Sequence, residues 1–104
     1  MLPKKVRDQL VQIGLDEPKI EKIILFGSRA VGDYTERSDI DLAFSIPNMT
    51  NKEWTAFTFF LEDELDTLLS LDMIHLEEAP SDLREEILTN GIVIHQQQAN
   101  TSTK

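Results

Sequence analysis

Apolar residues recur at Leu2, Val6, Leu10 and Ile13, a spacing that stripes one face of a helix. Pro3 suits the first turn of that helix, and Gly14 its stop. The run Ile23-Ile24-Leu25-Phe26 is short, rich in β-branched residues and unbroken, so it predicts a buried strand. It ends abruptly at Gly27-Ser28. Residues 29–38 are polar, with Gly32, Asp33, Thr35 and Ser38, and predict one turn of helix followed by a loop. From Ser38 to Ile46 the pattern alternates. Ile40, Leu42 and Phe44 face one way, and Asp39, Asp41 and Ala43 the other, which predicts a second strand closed by Pro47-Asn48.

Thr50 followed by Glu53 is a capping-box pattern. Trp54, Phe57, Leu61, Leu65 and Leu68 then mark an amphipathic helix of about five turns. Leu71 to Leu76 reads as a third strand. Ser81 is placed to cap a short helix carrying Leu83 and Ile87, with a stop near Asn90-Gly91. Ile92-Val93-Ile94 makes a last strand, expected at a sheet edge. Residues 96–104 have no apolar anchor and are expected to be disordered, leaving 1–95 as the folded domain. There are no repeats and no internal linker. The order of elements predicts an α/β (α+β) fold: a small mixed sheet of about four strands covered by helices.

A chain of 104 residues is long enough for one domain with one core. No apolar run approaches the roughly 20 residues of a membrane span, so no membrane is expected. The N-terminus, with Asp8 following its lysines early, does not read as a signal peptide. The chain has no cysteine, which fits a reducing cytoplasm, the expected location. Ten basic residues are scattered among nineteen acids, for a formal charge of −9. A binder of long nucleic acid needs a basic patch, so none is expected as a ligand. A basic protein or a metal-chelated nucleotide is compatible with the charge.

The chemistry concentrates between Gly27 and Leu42. Gly27, at the end of a buried strand, permits a sharp turn and close approach of a ligand. Ser28 offers a hydroxyl and an amide at a helix start, where free N–H groups favour phosphate. Asp39 and Asp41, two apart on a strand, would share a face with Cα atoms about 6.6 Å apart. That face is repulsive unless a cation sits on it, and hard oxygen ligands select Mg2+ or Mn2+. Asp72 is an isolated acid in an apolar strand. If that strand lies beside the second, Asp72 joins the pair, either to hold metal or to take the proton from an attacking hydroxyl.

The stretch Gly27-Ser28-Arg29-Ala30, followed by Ser38-Asp39-Ile40-Asp41-Leu42, resembles the signature of the DNA polymerase β-type nucleotidyltransferase superfamily. Within it the short chain is similar to the minimal nucleotidyltransferases (MNT), the antitoxins of HEPN/MNT toxin–antitoxin systems. That resemblance implies a polymerase β-like fold and ATP as substrate. It implies nucleotide-binding roles for Gly27, Ser28, Arg29 and Ser38, with Asp39, Asp41 and Asp72 as metal-binding and catalytic carboxylates. The implied reaction is transfer of AMP to a protein, the cognate HEPN ribonuclease toxin. Two alternatives stand beside it: an antitoxin that masks the toxin without catalysis, and nucleotidyl transfer to a small molecule or an RNA end. The sequence departs from its relatives at Val31, where a basic residue is common, and at His75, where an acid is common. His75 is expected to be structural, as are Trp54 and Phe57, while Phe59 and Phe60 broaden the apolar face and could meet a partner.

Overall fold

The computed structural model describes residues 2–97. Four strands form one sheet in the order β3-β2-β1-β4. They are β1 (Lys22–Phe26), β2 (Ile40–Ser45), β3 (Leu71–His75) and β4 (Ile92–Gln96). β1 runs antiparallel to both β2 and β4, while β2 and β3 are parallel. The helices are α1 (Lys4–Asp16), the single turn α2 (Ser28–Val31), α3 (Asn51–Glu64) and α4 (Ser81–Asn90). The expected mixed sheet and its edge strand β4 are both present.

Alternation divides the sheet into two faces. Ile23, Leu25, Ile40, Leu42 and Phe44 point to the side covered by α1 and α3, where they bury Val6, Leu10, Leu61 and Leu65. Trp54 and Phe57 pack their rings on Phe44, at centroid distances of 5.9 and 5.3 Å, so both belong to the core as expected. The opposite side carries a smaller cluster of Ile24, Ala43, Leu76 and Ile87, built by α4. That second cover is short. It leaves bare the end of the sheet where β1 finishes and β2 and β3 begin.

Several boundaries differ from the sequence reading. Gly14 does not stop α1, which continues to Asp16. Its missing side chain makes room for the His95 ring, whose Nε2 lies only 2.8 Å from where a Cβ would stand. α3 ends at Glu64 rather than running through Leu68, and Leu68 is fully exposed. Gln9 of α1 terminates it: its Nε2 donates to the Glu64 carbonyl (3.1 Å), and its Oε1 accepts from the Asp66 amide (2.8 Å). A carbonyl that a longer helix would have used is satisfied from another element.

β3 stops at His75, because Leu76 opens a 3-10 turn. Ser81 is the first residue of α4 rather than its cap; Pro80 holds the cap position. At the chain end Gln96 is still in β4, and the Gln97 amide donates to the Glu21 carbonyl (2.8 Å), so order extends past residue 95. The expectation of disorder over 98–104 falls outside the described residues. His75 is buried, stacked on Trp54 at 5.1 Å, with Nε2 2.9 Å from the Ile46 carbonyl, as a structural histidine should be.

The capping box at α3 is fully formed. Thr50 Oγ1 accepts from the Glu53 amide (3.1 Å), and the Glu53 carboxylate accepts from the Thr50 amide (2.9 Å). Thr50→Ala is expected to cost about 1 kcal/mol, lowering Tm by roughly 4–8 °C in a thermal melt. An unchanged Tm would mean that tertiary packing alone holds the helix start.

Candidate active site

The bare end of the sheet gathers the residues singled out by their chemistry. Gly27 follows β1 with φ 73° and ψ −155°, a region that is essentially glycine-only. A Cβ there would also overlap Asp41 Oδ2, with the carboxyl carbon itself only 3.0 Å away. Glycine is therefore required twice over, by the turn and by the carboxylate packed against it. The Gly27 carbonyl accepts from the amides of Ala30 (3.1 Å) and Val31 (3.3 Å), which starts α2 at Ser28. The Ser28 amide, at the head of that turn, has no carbonyl one turn upstream to bond. A depression of about 230 Å³ lined by Phe26, Gly27, Val31, Glu86 and Asn90 opens beside it.

The parallel pairing of β2 and β3 sets Asp41 directly beside Asp72. The condition posed by the sequence, that the third strand lie next to the second, is met. Burial pushes the Asp41 carboxyl above the usual carboxylate range, and the charges of Asp72 and then Asp39 push it further, as does a side-chain hydrogen bond with Asp72. Asp39 is not in the strand as expected; β2 begins at Ile40, and Asp39 stands exposed just before it.

Among the described residues, no group of three or more His, Cys, Asp or Glu side chains forms a ready-made metal cage. Magnesium does not require one, because it takes one or two carboxylates together with substrate phosphates and water. The charges of Asp72 and Asp39 raise the proton affinity of Asp41, and a divalent cation fits such a donor set because it would offset the same repulsion.

Arg29 departs furthest from expectation. It is neither a solvated arginine nor one turned outward to phosphate, being only 4% exposed. Its Nε donates to the Ser38 carbonyl (3.1 Å), and its Nη2 to the carbonyls of Thr35 (3.3 Å) and Glu36 (3.2 Å). Its guanidinium lies over the Tyr34 ring at 5.1 Å. Ser38 is also internal: its Oγ accepts from the Thr35 amide (2.9 Å), and its own amide donates to the Thr35 carbonyl (3.1 Å). Both residues shape the loop leading to Asp39. The loop's Thr35 and Ser38 are a turn-forming pair, a signal available in the sequence. The arginine's target was not readable there.

A second polar tie has no local signature in the sequence. The Glu77 carboxylate accepts from Ser45 Oγ (2.6 Å) and from the Ile46 amide (2.9 Å), pinning the far end of β2.

With this geometry in hand, likeness to known proteins becomes specific. The family model described as polymerase beta, nucleotidyltransferase matches residues 8–100. The chain belongs to that family. A candidate protein adenylyltransferase of Methanocaldococcus jannaschii is 75% identical over 24 residues, which is 23% of this chain and 24% of that protein. The match thus spans about a quarter of the curated relative's length. A toxin–antitoxin crystal structure with AMP-PNP contains a chain 26% identical, with a TM-score of 0.70, covering 88% of this chain and 74% of the other. A complex of a tri-AMPylated Shewanella oneidensis HEPN toxin with its MNT antitoxin shares the fold. Its TM-score is 0.66 at 23% identity, over 90% of this chain and 72% of that one. Among the described residues, no helix of this family member is long and apolar enough to cross a membrane.

The raised Asp41 proton affinity has a signed consequence. Its pKa is higher folded than unfolded, so the associated stability is complete below the unfolded value and is lost as pH rises through the folded one. In chelator, wild-type protein should therefore lose Tm relative to Asp41→Asn as pH rises above the ordinary carboxylate range. Asp41→Asn should be the more stable of the two at neutral pH. Parallel melting curves over that rise would remove the carboxylate repulsion from the account.

Proposed function

We propose that this chain is a magnesium-dependent adenylyltransferase that moves AMP from ATP onto a hydroxyl of a protein acceptor, a HEPN-domain toxin. The observation that carries this reading is the registered pair Asp41 and Asp72 beside the Gly27-Ser28 turn. The turn's amides and the Ser28 hydroxyl receive the β- and γ-phosphates, as a helix start does. Asp39 and Asp41 would hold Mg2+, with Asp72 as the third carboxylate of the site. Bound there, the ion would supply charge neutralisation for the triphosphate and the pyrophosphate leaving group.

Asp72 receives the proton of the acceptor hydroxyl. The hydroxyl oxygen bonds to the α-phosphorus as the bridging bond to the β-phosphate breaks, and pyrophosphate leaves. The acceptor becomes an AMP ester, and no atom is left unassigned.

Three supports point to a protein acceptor. The M. jannaschii relative is described as a candidate protein adenylyltransferase, and the toxin in the Shewanella complex carries AMP. The net charge of −9 suits docking on the basic surface of a ribonuclease and speeds encounter. The added AMP would then place bulk and negative charge where such an enzyme grips RNA.

The test is to incubate the cognate toxin with a small fraction of this protein, ATP and magnesium, and to weigh the intact toxin. A mass gain of one AMP per event, far beyond stoichiometry, is expected. Asp39→Asn and Asp41→Asn should lose magnesium-dependent nucleotide binding. Asp72→Asn should keep binding but lose about 10²–10⁴ in rate. No mass gain, with inhibition only at equimolar protein and undiminished by Asp39→Asn, would establish masking instead.

A further inference from the structure

We infer that Arg29 is a positioning residue which joins the phosphate-binding turn to the metal-binding loop and so sets the magnesium requirement of the site. The inference rests on the adenylyltransferase reading and goes beyond it. Arg29 follows Ser28 immediately, so its backbone is part of the turn assigned to phosphate. Its side chain crosses to the loop over residues 33–39 and donates to the carbonyls of Thr35, Glu36 and Ser38. Ser38 directly precedes Asp39. Among the described residues Asp39 is the one implicated acid outside the sheet, so no strand ladder holds it in place.

The contacts divide the labour on that loop. From inside, Ser38 and Thr35 close a local turn. Above the guanidinium, Tyr34 covers one face. On the far side of Asp39, the Ile40 amide donates to the Ser70 carbonyl (2.9 Å) and begins the β2–β3 pairing. Asp39 is thus suspended between two fixed points, Arg29 at Ser38 and the sheet at Ile40. Release of the first leaves its carboxylate on a freely moving arm beside an immobile Asp41.

The chemistry of the side chain explains why arginine is needed. Three carbonyls diverging around one buried cation match a planar fork with several donors. A lysine ammonium is a single point with a flexible stem and cannot reach the same set together. Residues that orient metal ligands from behind typically change metal affinity by about 10–100-fold when replaced.

The experiment compares wild type, Arg29→Lys and Arg29→Met. Magnesium is titrated against a fixed, non-hydrolysable ATP analogue, binding is read as a rise in Tm, and transfer rates are measured in parallel. Both variants should need about tenfold or more magnesium for half-maximal binding, with Arg29→Lys recovering close to the wild-type rate once magnesium is saturating. Amide hydrogen exchange over residues 33–39 should accelerate in both variants, while that of β1 and β2 stays unchanged.

If wild type itself shows no magnesium-dependent binding, the adenylyltransferase reading fails. If wild type binds and the variants have the same half-saturating magnesium, the positioning role is overturned, even where their metal-free Tm has dropped. Should the variants fold poorly, Tyr34→Ala removes only the ring over the guanidinium. It is expected to shift the magnesium requirement in the same direction by less, and no shift would count against the inference.

Discussion

Two like charges side by side are the constraint around which this molecule is built. The parallel register of β2 and β3 puts Asp41 next to Asp72, and nothing in ordinary folding rewards that placement. It is tolerated because the flanking residues are strongly anchored. Ile40 and Leu42, on either side of Asp41, are fully buried among the side chains of α1 and α3. The acids share a side-chain hydrogen bond, with Asp41 held towards its protonated form. On the proposed function, a bound cation would offset the cost of placing them together.

Keeping the pair accessible demands an uneven architecture. One face of the sheet carries two long helices and most of the core, whereas the other carries only α4 and a small cluster. The short second cover ends beside Gly27, and the glycine lets the chain turn away while packing directly on the Asp41 carboxylate. Phe59 and Phe60 remain 68% and 47% exposed on α3, which belongs to the opposite, helical layer.

Irregular backbone is held in this small fold by long side chains that reach across sequence. Arg29 collects carbonyls from the loop before β2, and Arg84 does the same after β3, donating to Leu76 (3.3 Å) and Ala79 (2.9 Å). Gln9 ends α3, and Glu77 pins the end of β2. Each supplies a partner for backbone groups at a loop or helix end that secondary structure leaves open. On the proposed function, the placement of Asp39 would depend on these ties, because a loop is only as well placed as its anchors.

Local patterning determined a good deal by itself. The stripe in α1, the unbroken β1, the alternation through β2 and the Thr50–Glu53 box are all readable, because their causes lie within a few residues of one another. The glycine turn and the Asp-x-Asp spacing were legible for the same reason. Where an element stops was not. Gly14 lies inside a helix, where its missing side chain leaves space for His95, and Leu68 leaves one because Gln9 has already closed it. The neighbourhood of Asp72 and the inward turn of Arg29 also belong to the tertiary structure alone. A register between strands some thirty residues apart, and an arginine's choice among distant carbonyls, are settled only when the packed sheet brings those groups within hydrogen-bond reach.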